Sequence, residues 1–496
     1  MNIHTEKKVS LSKNISFVMF ASIFRQFLSL FSGIVVARIL LPQDFGIISM
    51  AATFSGLIDV FSKFGMETFI ISRQNLSKTD INSVYLLNIL AGIVFAIIMI
   101  IISPVIANIY RTPEVKYILF FAAISLLITS FISIPRALLI KNMRQDVVSK
   151  IEIVQSLLNV GLIIVFALLG FRYLSYVIPL LIVNSASCII YLVITGWKFS
   201  IDFSKDIFSQ TFAYSKSFLP KTILTFFVYN SDYIFIGYLL GPTLLGYYFF
   251  GFDKASILVG LLVGLHCNIF FPIFSKLQAN KNDLKTTFFS LMEKQAFIVY
   301  PLIFAQIMLA KELINLIYGA RWDNSILIFQ LILGYIFVRI TASIIHVLFD
   351  AVNMPQQNLK HFLLITPICL VAFFIGIKLG NLKGVVIAAF VAHLFASFLL
   401  FIRVCFVFKW DFSEFLSYLS KFFIPIILQI PVIIPLKLYL NYLTLPDYIT
   451  ILIMVPIIFT LYIFLTSLFL KDFYNNVVEP TRLKILSIIG DKLVMD

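Results

Sequence analysis

The chain has 496 residues, of which 60% are hydrophobic and 12% are charged, about half the charged fraction of an ordinary soluble domain. This composition excludes a soluble globular protein. The net charge of +14 points to membrane orientation rather than to nucleic acid, because the sequence carries no basic-aromatic nucleic-acid motif.

Hydropathy predicts an all-α polytopic membrane protein with about fourteen transmembrane helices. Helices are required because backbone hydrogen bonds in lipid must close within each segment, and the alternating pattern of a barrel strand is absent. The first apolar run is too long for a signal-peptide core and is expected to remain as the first span. The predicted spans are 15–38, 45–64, 82–106, 116–134, 151–170, 173–195, 217–240, 245–271, 295–316, 325–349, 362–380, 384–406, 420–440 and 448–470.

The distribution of Lys and Arg predicts that both termini are cytoplasmic. With the N-terminus inside, the inner tails and loops carry 26 of these residues and the opposite loops carry 9. Translocating basic residues is disfavoured, so the bias supports an even number of spans. The loop that contains Arg136, Lys141, Arg144 and Lys150 is the strongest inside marker.

Three segments of the first half recur in order in the second half, which indicates duplication of a six-helix unit. Six is an even number, so the copies are parallel and related by an axis along the membrane normal, with a cavity expected between them. The predicted organisation is two lobes, 1–210 and 211–407, followed by two extra helices and a cytoplasmic tail in 408–496. The matching segments are 40–46 with 240–246, 105–110 with 313–318, and 142–145 with 353–356.

Several of these segments also carry a family resemblance. The first lobe contains the runs ARILLPQDFG (37–46), KFGM (63–66) and ISRQNLS (71–77), and the second contains NSD (230–232), PIFSKLQ (272–278) and GARW (319–322). In combination they resemble bacterial polysaccharide transporters of the O-antigen and colanic-acid exporter kind, within the multidrug/oligosaccharidyl-lipid/polysaccharide flippase superfamily. Tyr238 departs from the family pattern, which has a basic residue there.

The resemblance implies two six-helix lobes in a V that open alternately to each side, in the bacterial inner membrane. It implies a non-enzymatic transporter without a cofactor. Its expected partners are a lipid-linked oligosaccharide substrate, membrane lipids, and polysaccharide polymerase and assembly proteins.

Three basic residues inside the predicted spans are candidate anion contacts in the cavity: Arg25, Lys254 and Arg339. A charge at the bilayer centre costs ~3 kcal/mol or more, so each must face the bundle interior, a partner or water. Arg25 shares a polar stripe with Ser22, Ser29 and Ser32. The alternative interpretation of each basic residue is a structural pair that serves packing.

Four further polar residues are candidates for lining the cavity or coupling an ion: Asp59, Asn230, Asp232 and Asp253. The repeat places Asp232 as a candidate counter-charge for Arg25. Asp59 is the acidic residue well inside the first lobe, and either a local pair with Lys63 or a proton or Na⁺ site explains it. The histidines and the four single cysteines lack ligand spacing, so no metal or disulfide site is expected.

Three hypotheses from different classes follow. The first is a flippase that moves undecaprenyl-pyrophosphate-linked oligosaccharide outward, with the three basic residues holding the pyrophosphate. The second is a cation-coupled multidrug exporter, which needs an acidic site, whereas the mid-membrane charges here lean basic. The third, a membrane polymerase or ligase, is disfavoured because the longest outer connection has about fifteen residues, too few for an outer catalytic loop.

Overall fold

The computed structural model describes residues 11–63, 66–73, 76–197, 200 and 204–474, and within these ranges the chain forms helices and no strand. A π-helical turn, His266–Phe270, and a 3-10 helix, Ala320–Ser325, interrupt the α-helices. The α-helices are α1 Leu11–Ile39, α2 Pro42–Lys63, α3 Met66–Ser72, α4 Lys78–Ile109, α5 Glu114–Lys141, α6 Gln145–Leu168, α7 Leu174–Thr195, α8 Lys205–Leu265, α9 Phe271–Leu277, α10 Lys281–Met308, α11 Ala310–Tyr318, α12 Ile326–Ala351, α13 Pro355–Phe408, α14 Phe412–Tyr442, α15 Asp447–Phe469 and α16 Lys471–Phe473.

The all-α membrane fold is confirmed, since eleven helical segments in the described part of the chain are long and apolar enough to cross a membrane. Two of these segments contain a break in helical geometry, at Gly241 in α8 and at Gly380 and Asn381 in α13. Each break falls where the sequence predicts a connection between two spans. The count of fourteen spans stays a prediction.

The helices group into two compact units. Among the described residues, the first unit comprises those within 1–250 and 362–385, and the second comprises those within 251–361 and 386–496. The sequence predicts lobes at 1–210 and 211–407 and extra helices in 408–496. This division follows the order of the chain and not the packing of the helices, and it stays a prediction.

In the first unit, small and polar residues bring α4 and α5 close together. Asn88 donates from Nδ2 to the carbonyl of Ser130 at 2.6 Å, and a Cβ placed on Gly92 would overlap the Ser130 side chain. Because lipid gives apolar side chains little reason to associate, such close packing and interhelical hydrogen bonds stabilise membrane helix pairs.

The two copies of the Leu-x-Pro-x-x-x-Gly pattern contact each other within the first unit. A Cβ at Gly46 would collide with the carbonyl of Pro242, and a Cβ at Gly246 would collide with the carbonyl of Pro42. The contact is reciprocal, as a two-fold relation between the copies requires. The two connections that the repeat pairs therefore lie side by side, and the face of the membrane on which they lie stays a prediction.

Two pairs of helix-ending turns also match in the repeat. Arg111 follows Tyr110, the C-cap of α4, and Gly319 follows Tyr318, the last residue of α11. Both have positive φ, 51° and 95°. Met143 and Asn353 also have positive φ, and the two turns share one hydrogen-bond pattern. The residues of this second pair are 210 positions apart, whereas the matching segments 142–145 and 353–356 are 211 positions apart. The two offsets differ because backbone geometry, not side-chain identity, defines the turn.

In the second unit, an aromatic cluster joins α10, α13 and α14. Trp410 lies 5.0 Å from Phe288 and 5.4 Å from Phe289 between ring centroids, and Phe415 is fully buried against the same rings. Rings of this size bury large apolar areas, so they fix this end of the helices. Lys409 turns the chain there with a φ of 58°.

Candidate functional site

Four charged side chains of the first unit meet where α1, α3, α5 and α6 converge. Arg25 on α1 donates from Nη1 to Oε2 of Glu152 on α6. Arg136 on α5 donates to the other oxygen of Glu152, from Nη2 at 3.0 Å and from Nε at 3.3 Å. The third donor of Arg136, Nη1, reaches Glu67 on α3 at 3.1 Å. We call these four residues the arginine–glutamate cluster.

Glu152 is the centre of this cluster because both arginines share its carboxylate. Its side chain is 15% exposed, whereas Arg25, Arg136 and Glu67 are each about one third exposed. Two guanidinium groups face two carboxylates, so the cluster is formally neutral. It is partly open, and its ion pairs can therefore exchange with a ligand more easily than fully buried pairs.

Apolar packing holds the cluster in place. Tyr191 of α7 is 1% exposed, and its hydroxyl lies beside Arg136 and Glu152 without a well-formed hydrogen bond. Glu152 follows Ile151 directly, so the buried isoleucine anchors the helix turn that carries the carboxylate. The buried residues packed around Tyr191 are Ile132, Leu139, Val148 and Ile151.

The cluster lies near the turn between α5 and α6. Arg136 and Glu152 are each about two helical turns from that turn. At 1.5 Å per residue, each of the two residues lies on the order of 10 Å along its helix from the turn. The turn belongs to the loop that the sequence predicts to be cytoplasmic.

The structure places Arg25 in an ion pair with Glu152, not with the predicted counter-charge. Asp232 is 2% exposed and accepts hydrogen bonds from the Tyr248 hydroxyl at 2.5 Å and from the Tyr233 amide at 2.9 Å. Asn230, two residues earlier, donates from Nδ2 to the carbonyl of Phe226. The prediction that Asp232 is the counter-charge of Arg25 is therefore not met: Tyr248, on the same helix α8, donates to Asp232 instead.

The second unit holds the remaining predicted basic residues. Lys254 is 11% exposed and donates to Asp253 at 2.7 Å, and its Nζ lies 5.6 Å from the ring centroid of Tyr318. Asp253 is 48% exposed. Arg339 is half-buried on α12. The side chain of Asp59 lies outside the described residues.

The sequence patterns do not single out Glu152, and they indicate Arg136 only as a marker of orientation. Residues 25 and 152 are 127 positions apart, so no helical spacing connects them. The available signal was Glu152 itself, an acid inside the predicted span 151–170, where an unpaired carboxylate is disfavoured. Within the described residues, no group of three His, Cys, Asp or Glu is arranged to hold a metal ion.

Comparison with known proteins identifies the family. Residues 35–327, more than half of the chain, match the family described as polysaccharide biosynthesis protein. The chain belongs to this family. The matched range contains all of the repeat segments of the first lobe from Leu40 onward, and it includes Glu67, Arg136 and Glu152.

Two curated relatives are similar at low identity. The lipopolysaccharide biosynthesis protein WzxC of Escherichia coli is 22% identical over 409 residues, covering 81% of each chain. The teichuronic acid biosynthesis protein TuaB of Bacillus subtilis is 24% identical over 260 residues, which cover 52% of this chain and 54% of TuaB. The chain therefore spans about half the length of TuaB.

Two solved structures share the fold. The lipid II flippase MurJ in an inward closed conformation superposes with a TM-score of 0.72 at 17% identity, over 93% of this chain and 99% of that one. An inward-facing multidrug resistance transporter of the MATE family superposes with a TM-score of 0.56 over 80% of this chain and 96% of that one. The protein is a multi-pass membrane protein with this transporter fold.

Proposed function

We propose that the protein is a flippase that moves a pyrophosphate-linked oligosaccharide on an undecaprenyl carrier from the inner to the outer leaflet, for surface polysaccharide synthesis. The observation that carries the proposal is the match of more than half of the chain to the polysaccharide biosynthesis protein family. The similarity to WzxC over 81% of both chains and the fold shared with MurJ support it.

The charged residues suit an anionic cargo. A pyrophosphate carries roughly two negative charges, and guanidinium groups bind phosphoryl oxygens through two parallel hydrogen bonds. Arg25 supplies such a group in the first unit, and Lys254 and Arg339 supply cations in the second. The prenyl tail stays in lipid, so only the head group has to cross the apolar region.

The site is proposed to work by alternating access in the bacterial inner membrane, with both termini cytoplasmic. The three basic residues hold the head group, and the polar candidates Asp59, Asn230, Asp232 and Asp253 line the path or couple an ion. Polysaccharide polymerase and assembly proteins are the proposed partners. They would receive the repeat unit at the outer face.

The second candidate is a cation-coupled multidrug exporter, which the fold similarity to the MATE transporter favours. Such a protein needs an acidic pocket for a cationic drug. In the structure Asp232 accepts a hydrogen bond from Tyr248 and Asp253 one from Lys254, so both carboxylates already have donors. The charges thus favour the flippase.

Reconstitution in liposomes separates the two functions. The purified protein is placed in vesicles that carry the lipid-linked oligosaccharide on one leaflet, and a cationic dye is offered in a separate preparation. Movement of the lipid-linked sugar without dye export is the expected result. Dye export that requires Asp59, with no movement of the sugar, would replace the flippase with the exporter.

A further inference from the structure

We propose that Arg25, Arg136 and Tyr191 form a phosphate-binding subsite in the first unit, and that the carboxylate of Glu152 occupies this subsite until a diphosphate head group displaces it. The inference rests on the proposed function and deepens it. It assigns a binding role to Arg136 and Tyr191, and it makes Glu152 an internal competitor of the cargo.

The geometry of Glu152 is that of a bound anion. One carboxylate oxygen accepts two donors from Arg136, at 3.0 and 3.3 Å, and the other accepts from Arg25. A phosphoryl group presents oxygens with similar spacing and more negative charge, so it fits the same pair of guanidinium groups. Both arginines keep their hydrogen-bonding partners when one anion replaces the other.

The cluster is open enough for this exchange. Arg25 and Arg136 are 32% and 34% exposed, and partly exposed ion pairs contribute little net stability because water screens them. Arg136 also keeps Glu67 as a second carboxylate partner, so displacement of Glu152 does not leave it unpaired. When Glu152 turns away, the two arginines and Glu67 carry a net charge of +1, which attracts an anion.

Tyr191 supplies a donor that the resting cluster does not use. Its side chain is buried, and its hydroxyl lies beside Arg136 and Glu152 without a well-formed hydrogen bond. Most buried hydroxyls in proteins are hydrogen-bonded, so a hydroxyl next to Arg136 that donates to no acceptor points to a ligand with a further acceptor oxygen. A phosphate bound between the arginines offers that oxygen.

The test measures the affinity of the purified full-length protein for inorganic pyrophosphate and for farnesyl diphosphate by isothermal titration calorimetry. Glu152→Gln removes the competing charge and is expected to tighten both affinities at least fivefold. Arg136→Gln is expected to weaken both at least tenfold, and Tyr191→Phe severalfold. The matched control is Glu414→Gln, which removes a carboxylate from the separate ion pair with Lys285 and should leave both affinities unchanged.

A purely structural role for Glu152 predicts the opposite result. Glu152→Gln would then lower the midpoint of thermal unfolding and leave the affinity unchanged or weaker, and this outcome overturns the inference. If Glu152→Gln does not fold, Glu152→Asp keeps the charge but reaches the arginines less well, and it should tighten binding by a smaller factor. An unchanged or weaker affinity in Glu152→Asp overturns the inference as well.

The outcome is separable from that of the flippase proposal. Wild-type protein that moves lipid-linked sugar in liposomes, with no gain of affinity in Glu152→Gln, refutes the subsite and leaves the flippase standing. Wild-type protein that exports only dye refutes the flippase. A gain of pyrophosphate affinity in Glu152→Gln would still support the subsite. Equal gains for both ligands locate recognition in the diphosphate, and a gain for farnesyl diphosphate alone would overturn a phosphate-only subsite.

Discussion

Arg25 lies on α1 with its guanidinium turned to Glu152 of α6. Arg25→Ala should slow transport of the lipid-linked sugar by roughly ten- to a hundredfold, since a hydrogen bond to a charged group contributes ~1.5–3 kcal/mol. Arg25→Lys should retain part of the activity, because the charge survives and the planar fork does not. The measurement is the initial rate of sugar movement in liposomes.

The matched control for Arg25 is Arg144→Ala, an exposed arginine in the turn between α5 and α6 whose side chain makes no cap hydrogen bond. Its transport rate should equal that of the wild type. Normal transport by well-folded Arg25→Ala protein would assign Arg25 to packing alone.

Asp232 and Tyr248 allow a second test on a single bond. Tyr248 is fully buried, and its hydroxyl donates to Asp232 at 2.5 Å. Tyr248→Phe should lower the free energy of unfolding by about 1–3 kcal/mol, because a buried acceptor loses a donor. Thermal unfolding in detergent measures this change, and Tyr238→Phe, at a side chain that is 55% exposed, should leave the midpoint unchanged. Equal midpoints for both variants would contradict the prediction.

The pair of Arg25 and Glu152 is only half predictable from the sequence. Arg25 is predicted to face the bundle interior, a partner or water, because a charge inside an apolar span is costly, and the structure gives it a carboxylate partner. The partner Glu152 was not identified, because the packing of α1 on α6 brings together residues 127 positions apart. Helical periodicity relates neighbours on one helix and carries no information about which helices touch.

At the scale of elements, the reciprocal contact at Gly46 and Gly246 makes a sharp prediction. Alanine at either position places a methyl group onto a proline carbonyl of the opposite copy, so the two segments must separate. We expect each variant to lose about 1–3 kcal/mol of stability, as overpacked sites do. The measurement is thermal unfolding in detergent, combined with the transport rate.

Gly161→Ala provides the control for these variants. Gly161 is an exposed residue in the middle of α6 with open space around its Cβ position. Alanine there should be neutral or slightly stabilising because it favours helix. If Gly161→Ala destabilises the protein as much as Gly46→Ala does, the loss at Gly46 reflects a general effect of alanine and not the close contact with Pro242.

The helices themselves were largely predictable. Their apolar character is set by the bilayer, so the predicted span 116–134 lies inside α5, Glu114–Lys141. The observed helix is longer because a polar or basic side chain such as Arg136 does not end a helix, although it ends a hydropathy window. The short helix α3 was not predicted, since a stretch of seven residues is too short for a window of spanning length. Most of α11 falls in the predicted span 295–316, which the structure divides at Leu309.

At the scale of the whole molecule, orientation in the membrane can be tested at the two ends of one helix. Lys116 lies in the first turn of α5, Arg144 lies just beyond its last, and both residues are exposed. The 28 residues of α5 extend about 42 Å, enough to cross the bilayer. In intact cells a membrane-impermeant maleimide should label Lys116→Cys and not Arg144→Cys.

Permeabilised cells should show labelling of both variants, and the parent protein sets the background from its native cysteines. Labelling of Arg144→Cys but not Lys116→Cys in intact cells would reverse the orientation. Another feature of the sequence would then have to outweigh the bias of 26 to 9 Lys and Arg residues in setting the orientation. The arginine–glutamate cluster would then lie nearer the outer leaflet, which conflicts with uptake of cargo from the inner one.

The negative charge of the proposed cargo predicts that the membrane potential shifts its distribution between the two leaflets. Two negative charges that cross an interior-negative potential of 100 mV gain about 4.6 kcal/mol, which shifts the equilibrium distribution roughly three orders of magnitude toward the outer leaflet. Liposomes with a potassium gradient and valinomycin impose such a potential, and valinomycin without a gradient is the control. Accumulation of the lipid-linked sugar on the positive side is expected. If the distribution of the lipid-linked sugar between the leaflets does not change with the potential, cations must cross together with the pyrophosphate. Transport should then depend on a proton or sodium gradient and should become insensitive to that gradient in Asp59→Asn.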